Sequence, residues 1–201
     1  MSNIESTVSQ DARITLREVT AENVNAILSL SVKEHQKPLI ASNAVSIAQA
    51  HFRPEAWFRA IYADDTPVGF VMLYDAHQGA HPPQNEYYEV WRFMIDARYQ
   101  GRGFGRRAME LVIAHVKTRP NAKVLFLGHR REPGNAGGFY QKLGFEYTGN
   151  AEEGGDVEMR LMLSRHVSEQ VHTVGVRRTV FNAHQPFQKV RDKNAHASPG
   201  N

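Results

Sequence analysis

The chain reads as α/β: one domain built on a mixed sheet, residues 13–163, followed by a C-terminal extension, residues 164–201. Three observations lead there. Strand and helix patterns interleave through the later half of the body, the order expected of a mixed sheet with helices packed on it. The length, 201 residues, suits one generous domain or a domain with a tail. Beyond Leu163 the composition changes: Leu, Ile, Val and Phe supply 8 of the last 38 residues, near the level expected of disorder.

The elements follow in order. Arg13–Arg17 alternates and predicts a strand. Thr20-Ala21-Glu22-Asn23 offers a capping box into a helix from Val24 to about Leu30. Ser42 or Asn43 can cap a second helix, Ala44 to about His51. Trp57–Tyr62 and Pro67–Tyr74 are strands joined through Asp64-Asp65-Thr66, a hairpin signal. Asp75–Asn85 holds Gly79, Pro82 and Pro83 and reads as a loop. Tyr87–Ile95 is a long aromatic and β-branched strand, and Gly103–Lys117 has helical periodicity. Lys123–Gly128 is a short apolar strand. Asn135–Leu143 is a short helix that Gly144 ends. Phe145–Thr148 and Val157–Leu163 are strands around the turn Glu152–Gly155.

Composition excludes several classes. There is no Cys, so neither a disulfide scaffold nor a thiolate metal site is available. No run of 18 apolar residues occurs, and Met1–Ala12 is polar and acidic, unlike a secretory signal. A cytoplasmic protein without a membrane partner is the expectation. The ten histidines show no paired ligand spacing backed by carboxylates, so no metal is expected. The isoelectric point near 9.2 invites a nucleic-acid reading. The charge is unevenly placed, however. Residues 1–163 carry 18 Lys+Arg against 19 Asp+Glu, and residues 164–201 carry 6 against 2. The body therefore lacks a basic footprint for a phosphate backbone, and no nucleic-acid partner is expected of it.

The segment that carries chemistry is Phe93–Arg107, where a strand runs into a glycine-rich loop that opens a helix. Glycines let the backbone pass close to a ligand. Free N–H groups at a helix start, with the dipole behind them, suit a pyrophosphate. Arg102, Arg106 and Arg107 add cations. A phosphate loop of the Gly-Lys-Ser/Thr kind is absent, and the spacing of a dinucleotide fingerprint fails because Arg106 stands three residues after Gly103. What remains is Gln100, Gly103 and Gly105 as Q-x-x-G-x-G.

Gln100-Gly101-Arg102-Gly103-Phe104-Gly105, followed downstream by Ala136–Phe145 as A-x-x-F-Y-x-K-x-G-F, resembles the GNAT superfamily of acyl-CoA N-acyltransferases. The resemblance covers roughly residues 13–163. It implies a mixed, twisted sheet splayed between the strand ending at Ile95 and the strand Lys123–Gly128. It implies acetyl-CoA as cosubstrate in that opening. The pantetheine arm would lie along Phe93, Met94 and Ile95, and the pyrophosphate on Gln100, Gly101, Arg102, Gly103, Phe104, Gly105 and Arg106. Many members carry an Asn seven residues before a Tyr; here that position is Pro133, and Asn135 is the nearby candidate for a cofactor contact or a helix cap.

By the same resemblance, Tyr140 is the acid for the leaving thiolate. An amine acceptor is cationic at neutral pH and needs a base. Related polyamine enzymes carry a carboxylate near the position of Trp91; Glu89, two residues earlier on the same strand face, is the candidate, acting through water. Glu86, His129 and His115 are alternatives. Leu16–Asn23, Ala41–Ala44 and Trp91–Gln100 look like bacterial spermidine/spermine N-acetyltransferases. The expected function is acetyl transfer to a primary amine by direct attack in a ternary complex, with a polyamine as acceptor. A polycation would call on Glu152, Glu153, Asp156, Glu158, Asp75 or Glu86. A small drug amine, an amino acid or a protein N-terminus as acceptor, or a CoA-binding or nucleic-acid-associated module using the basic tail, remain as alternatives, and a homodimer is left open.

Overall fold

The structure is a computed structural model that describes residues 8–78, 88–131, 136–151 and 156–163. The elements are β1 (Ile14–Arg17), α1 (Val24–Leu28), α2 (Asn43–Ala50), β2 (Ala56–Ala63), β3 (Thr66–Asp75), β4 (Tyr88–Ile95), α3 (Phe104–Lys117), β5 (Val124–Arg130), α4 (Gly137–Lys142), β6 (Glu146–Ala151) and β7 (Asp156–Met162). One seven-stranded sheet runs β1-β2-β3-β4-β5-β7-β6. Every neighbouring pair is antiparallel except β4 with β5, so the sheet is mixed, as expected.

Two apolar layers hold it. On one face α3 presents Phe104, Ala108, Met109, Val112 and Val116, each at most 1% exposed. They pack with Ile61, Val71, Leu125 and Met159. That spacing is one helical stripe, and each large side chain contributes about 1.5–3 kcal/mol on burial. On the other face α1 and α2 bring Ile27 and Ala50 onto Ala60, Phe70, Met72 and Met94. Among the described residues no helix is long and apolar enough to cross a membrane.

Two departures from regular pairing shape the centre. Arg92 pairs with Met72 but Val90 pairs with Leu73, so Trp91 is an extra residue, a β-bulge. β4 and β5 then pair only at Tyr88–Leu125, Glu89–Phe126 and Val90–Leu127. Beyond Val90 the strands separate toward their C-terminal ends. Gly69 sits beside this region, where a Cβ would collide with the backbone carbonyl oxygen of Met94.

Several local expectations shift. α1 stops at Leu28 and has no side-chain cap: Asn23 instead accepts from Thr20 N–H at 2.8 Å and donates to the Glu18 carbonyl at 2.8 Å, a turn that competes with a cap. Ser42 does cap α2, accepting from Val45 N–H. Glu34–Leu39 forms a 3-10 helix that apolar periodicity did not reveal. α4 begins at Gly137 with Ala136 at the cap position, two residues later than expected; Asn135, the candidate cap or cofactor contact, lies outside the described residues. Glu86, Pro133, Glu152, Glu153 and the tail, residues 164–201, lie outside them too.

Candidate active site

The separation of β4 and β5 opens a cavity of about 600 Å³. Its lining comes from both faces of the sheet. Phe93, Ile95, Phe139 and Tyr140 belong to the α3 side, and Trp91, Met94, Ile40 and Val32 to the α1–α2 side. The bulge explains the second set. With one residue inserted, Trp91 and Arg92 both reach the α1–α2 side, where Trp91 meets Tyr74 edge-on and Arg92 bonds to Gln49 of α2.

At one end of the cavity lies the glycine loop. Gly101 and Gly103 both adopt φ of 77°, a left-handed conformation that side chains rarely take. A Cβ at either would meet nothing within 4 Å, so the backbone there is bare toward the opening. Gly103 is the cap residue of α3, and Gly101, Gly103, Gly105 and Arg106 line the cavity. Unpaired N–H groups at the start of a 14-residue helix offer a cradle for a pyrophosphate. These residues fit the cosubstrate that the resemblance implies.

The other loop residues have different tasks. Gln100 donates its amide to the Ile95 carbonyl at 2.9 Å and to Gln36 Oε1 at 2.8 Å, which fastens the loop to the 3-10 helix. Arg102 donates to the Val8 carbonyl, and Arg107 to those of Ala12 and Gln10. Both tie the N-terminal segment to the domain, while Arg106 pairs with Glu110 at 3.0 Å. Phe104 is 1% exposed and anchors α3 in the core. Of the three arginines expected near the pyrophosphate, Arg106 is the one that lines the cavity.

Tyr140 lines the cavity from α4 and is 7% exposed. Its place follows from how α4 ends. Phe145 N–H donates to the Tyr140 carbonyl at 3.1 Å and Gly144 N–H to that of Gln141 at 3.0 Å, with Gly144 at φ 91°. This is a Schellman motif, and the Phe145 ring meets Tyr140 edge-on at 5.8 Å. Phe139 stacks on Phe93 of β4 at 6.1 Å, which holds α4 across the opening. Burial pushes the Tyr140 phenol well above its ordinary value, so it stays protonated and can donate.

Glu89 lies on β4 before the bulge, opposite Tyr74, and the cavity lining begins one residue later at Val90. It is close enough to act electrostatically on Tyr74 and Arg92. Of the other candidates, Asp75 is 1% exposed and pairs with Arg119 at 2.7 Å, and His115 stacks on Trp57 at 4.1 Å. Neither lines the cavity. Glu158 is 5% exposed and accepts from Asn150. Asp156 does line the cavity and pairs with Arg130 at 3.6 Å. His129 lines it as well, with Nε2 3.2 Å from Tyr147 Oη.

Sequence reasoning missed Arg92, Arg130 and the 3-10 helix with Gln36 as parts of this wall. Arg92 had a signal: one charge inside the apolar run Val90–Ile95. Among the described residues no group of three or more His, Asp or Glu could hold a metal.

Comparison with known proteins agrees with the architecture. The spermine/spermidine N(1)-acetyltransferase of Bacillus subtilis (strain 168) is 30% identical over 155 residues, 73% of this chain and 96% of that protein. The structure of the PaiA N-acetyltransferase of Thermoplasma acidophilum, in complex with coenzyme A, aligns with a TM-score of 0.53 at 16% identity, over 75% of this chain and 99% of that one. The Escherichia coli ribosomal-protein-S18-alanine N-acetyltransferase aligns at 0.55 and 15% identity, over 80% and 100%. The profile of the acetyltransferase (GNAT) family matches residues 15–145, and the chain belongs to that family of acetyltransferases.

Proposed function

We propose that the protein moves an acetyl group from acetyl-CoA to a primary amine, with both substrates bound together. The observation that carries this reading is the opening between β4 and β5, with a bare glycine loop at one end and a protonated Tyr140 on its wall. When bound, acetyl-CoA supplies an activated thioester. Gly101, Gly103, Gly105 and Arg106 would hold its pyrophosphate, and Phe93, Met94 and Ile95 its pantetheine arm.

In the balanced reaction a nitrogen–carbon bond forms and the carbon–sulfur bond breaks. The acceptor ammonium gives up two protons, one to solvent and one to the released thiol. Glu89 is the proposed base for the first, and its place just behind the lining supports a relay through water. Tyr140 is the proposed donor for the second. Its raised pKa keeps the phenol protonated until sulfur departs, and the proton it passes to the thiolate is replaced by the acceptor's second proton, so the sum is unchanged.

Similarity to the Bacillus enzyme supports a polyamine such as spermidine or spermine as acceptor. The charge such an acceptor requires would fall to Asp156 and to Glu86, Glu152 and Glu153 outside the described residues. The test is thiol release from acetyl-CoA with spermidine, spermine and simple monoamines. Tyr140→Phe is expected to lower kcat by roughly 10²-fold with little change in acetyl-CoA affinity. No calorimetric binding of acetyl-CoA at millimolar concentration would overturn the reading.

A further inference from the structure

Arg92 is not accounted for by acetyl transfer to a simple amine. It stands in the middle of the sheet, 6% exposed, and lines the cavity. An enclosed guanidinium is costly unless its donors are met and its charge is balanced. Two of its five N–H donors have acceptors among the described residues: the Trp91 carbonyl at 2.6 Å and Gln49 Oε1 at 3.2 Å. Its Nε is fully enclosed without a partner. Both acceptors are neutral. Glu89 on β4 and Asp156 on β7 act on it electrostatically, but neither is hydrogen-bonded to it. Burial pulls its pKa below the ordinary arginine range, with Glu89 and Asp156 opposing that pull.

The rest of the wall points the same way. Among the described lining residues Asp156 is the single carboxylate, and it already pairs with Arg130. Among the described residues, an acceptor bearing only ammonium groups therefore meets Arg92 and Arg130 beside one carboxylate, Asp156, which is paired with Arg130. An acceptor with a carboxylate next to its amine meets a planar donor fork to which no carboxylate among the described residues is hydrogen-bonded, and such a fork is suited to binding carboxylates.

We propose that Arg92 anchors an acceptor carboxylate, so that amines bearing a carboxylate, the amino acids, form a second acceptor class beside polyamines. The inference rests on the acetyl-transfer reading and leaves its bond changes as written above. Gln49 holds the guanidinium from α2, and the bulge at Trp91 leaves Arg92 in the cavity lining.

The experiment compares kcat/KM for ω-amino acids from glycine to 6-aminohexanoate with the alkylamine and diamine of each length. At one or more lengths the amino acid is expected to exceed its alkylamine about tenfold or more. Arg92→Gln is expected to abolish that ratio, which a general loss of fold would leave intact. Arg92→Lys, which keeps the charge without the fork, is expected to retain part of it. If Arg92→Gln fails to fold, the wild-type series and Arg92→Lys still decide. Amino acids no better than alkylamines at every length, or a ratio unchanged in Arg92→Gln, would overturn this inference while leaving acetyl transfer standing. No transfer to any of these amines would overturn both.

Discussion

Asp96 shows how one residue sets the wall of the site. It is 3% exposed at the end of β4. Its carboxylate accepts from Ser31 N–H at 2.9 Å, from Arg98 N–H at 3.0 Å and from the Arg98 guanidinium at 2.7 Å. Burial raises its pKa, but these bonds lower it further, and the net shift is downward. The bond to Ser31 matters most for the cavity, because it pins the segment that leads to Val32. The Arg98 side chain is 61% exposed, so its pairing is screened. Asp96→Asn is therefore expected to cost about 1.5–3 kcal/mol in urea unfolding. Arg98→Ala should cost under about 1 kcal/mol. Equal losses would show that the exposed partner, not the enclosed backbone donor, carries the bond.

Among the elements, α4 ties chain chemistry to site geometry most directly. Its end was legible: Gly144 occupies the left-handed position after the last turn, as the pattern expects. That motif holds the Tyr140 carbonyl and sets the ring in the opening. Gly144→Ala places a Cβ at φ 91°, 3.4 Å from Leu161 Cδ1. A cost of about 1–2 kcal/mol follows from the left-handed backbone. Because the strain falls on the motif that aims Tyr140, kcat should drop while acetyl-CoA affinity holds. A variant with lower melting temperature and unchanged kcat would show that Tyr140 is placed by the core instead. The β4 bulge was not legible in the same way. Alternation places Glu89 and Trp91 together, but nothing in Val90–Ile95 marks which residue is inserted, since the extra residue appears only against β3. The 3-10 helix at Glu34–Leu39 was hidden for another reason. It has no buried stripe, and Gln36, which caps it locally by accepting from Lys33 N–H, is also tied to the distant Gln100.

Across the whole molecule, the mixed sheet was readable from strong strand patterns, and the opening from the resemblance that two spaced motifs carry, while the strand order was not. The rest of the cavity wall was not, since it assembles from the 3-10 helix, β4, β5 and β7, whose residues are far apart in sequence. The same long-range assembly gives the domain a pH response. His115 of α3 stacks on Trp57 of β2, beside Arg59, Arg119 and Asp75. Burial lowers its pKa first, the two arginines lower it further, and Asp75 opposes them. The folded state thus resists protonation that the unfolded chain accepts near pH 6.5. Unfolding then takes up a proton as pH falls, so this contribution is complete above about pH 6.5 and is lost below it, down through the lowered folded value. Asp96 acts with the same sign in a lower window, losing its contribution only below the ordinary carboxylate range near 3.9. His115→Phe keeps a ring on Trp57 and removes the titration. Melting temperatures measured from pH 8 to 5 should fall more steeply for the wild type than for His115→Phe once pH passes below 6.5. Parallel curves would mean that His115 takes up its proton equally in the folded and unfolded chain, with Asp75 offsetting burial and both arginines.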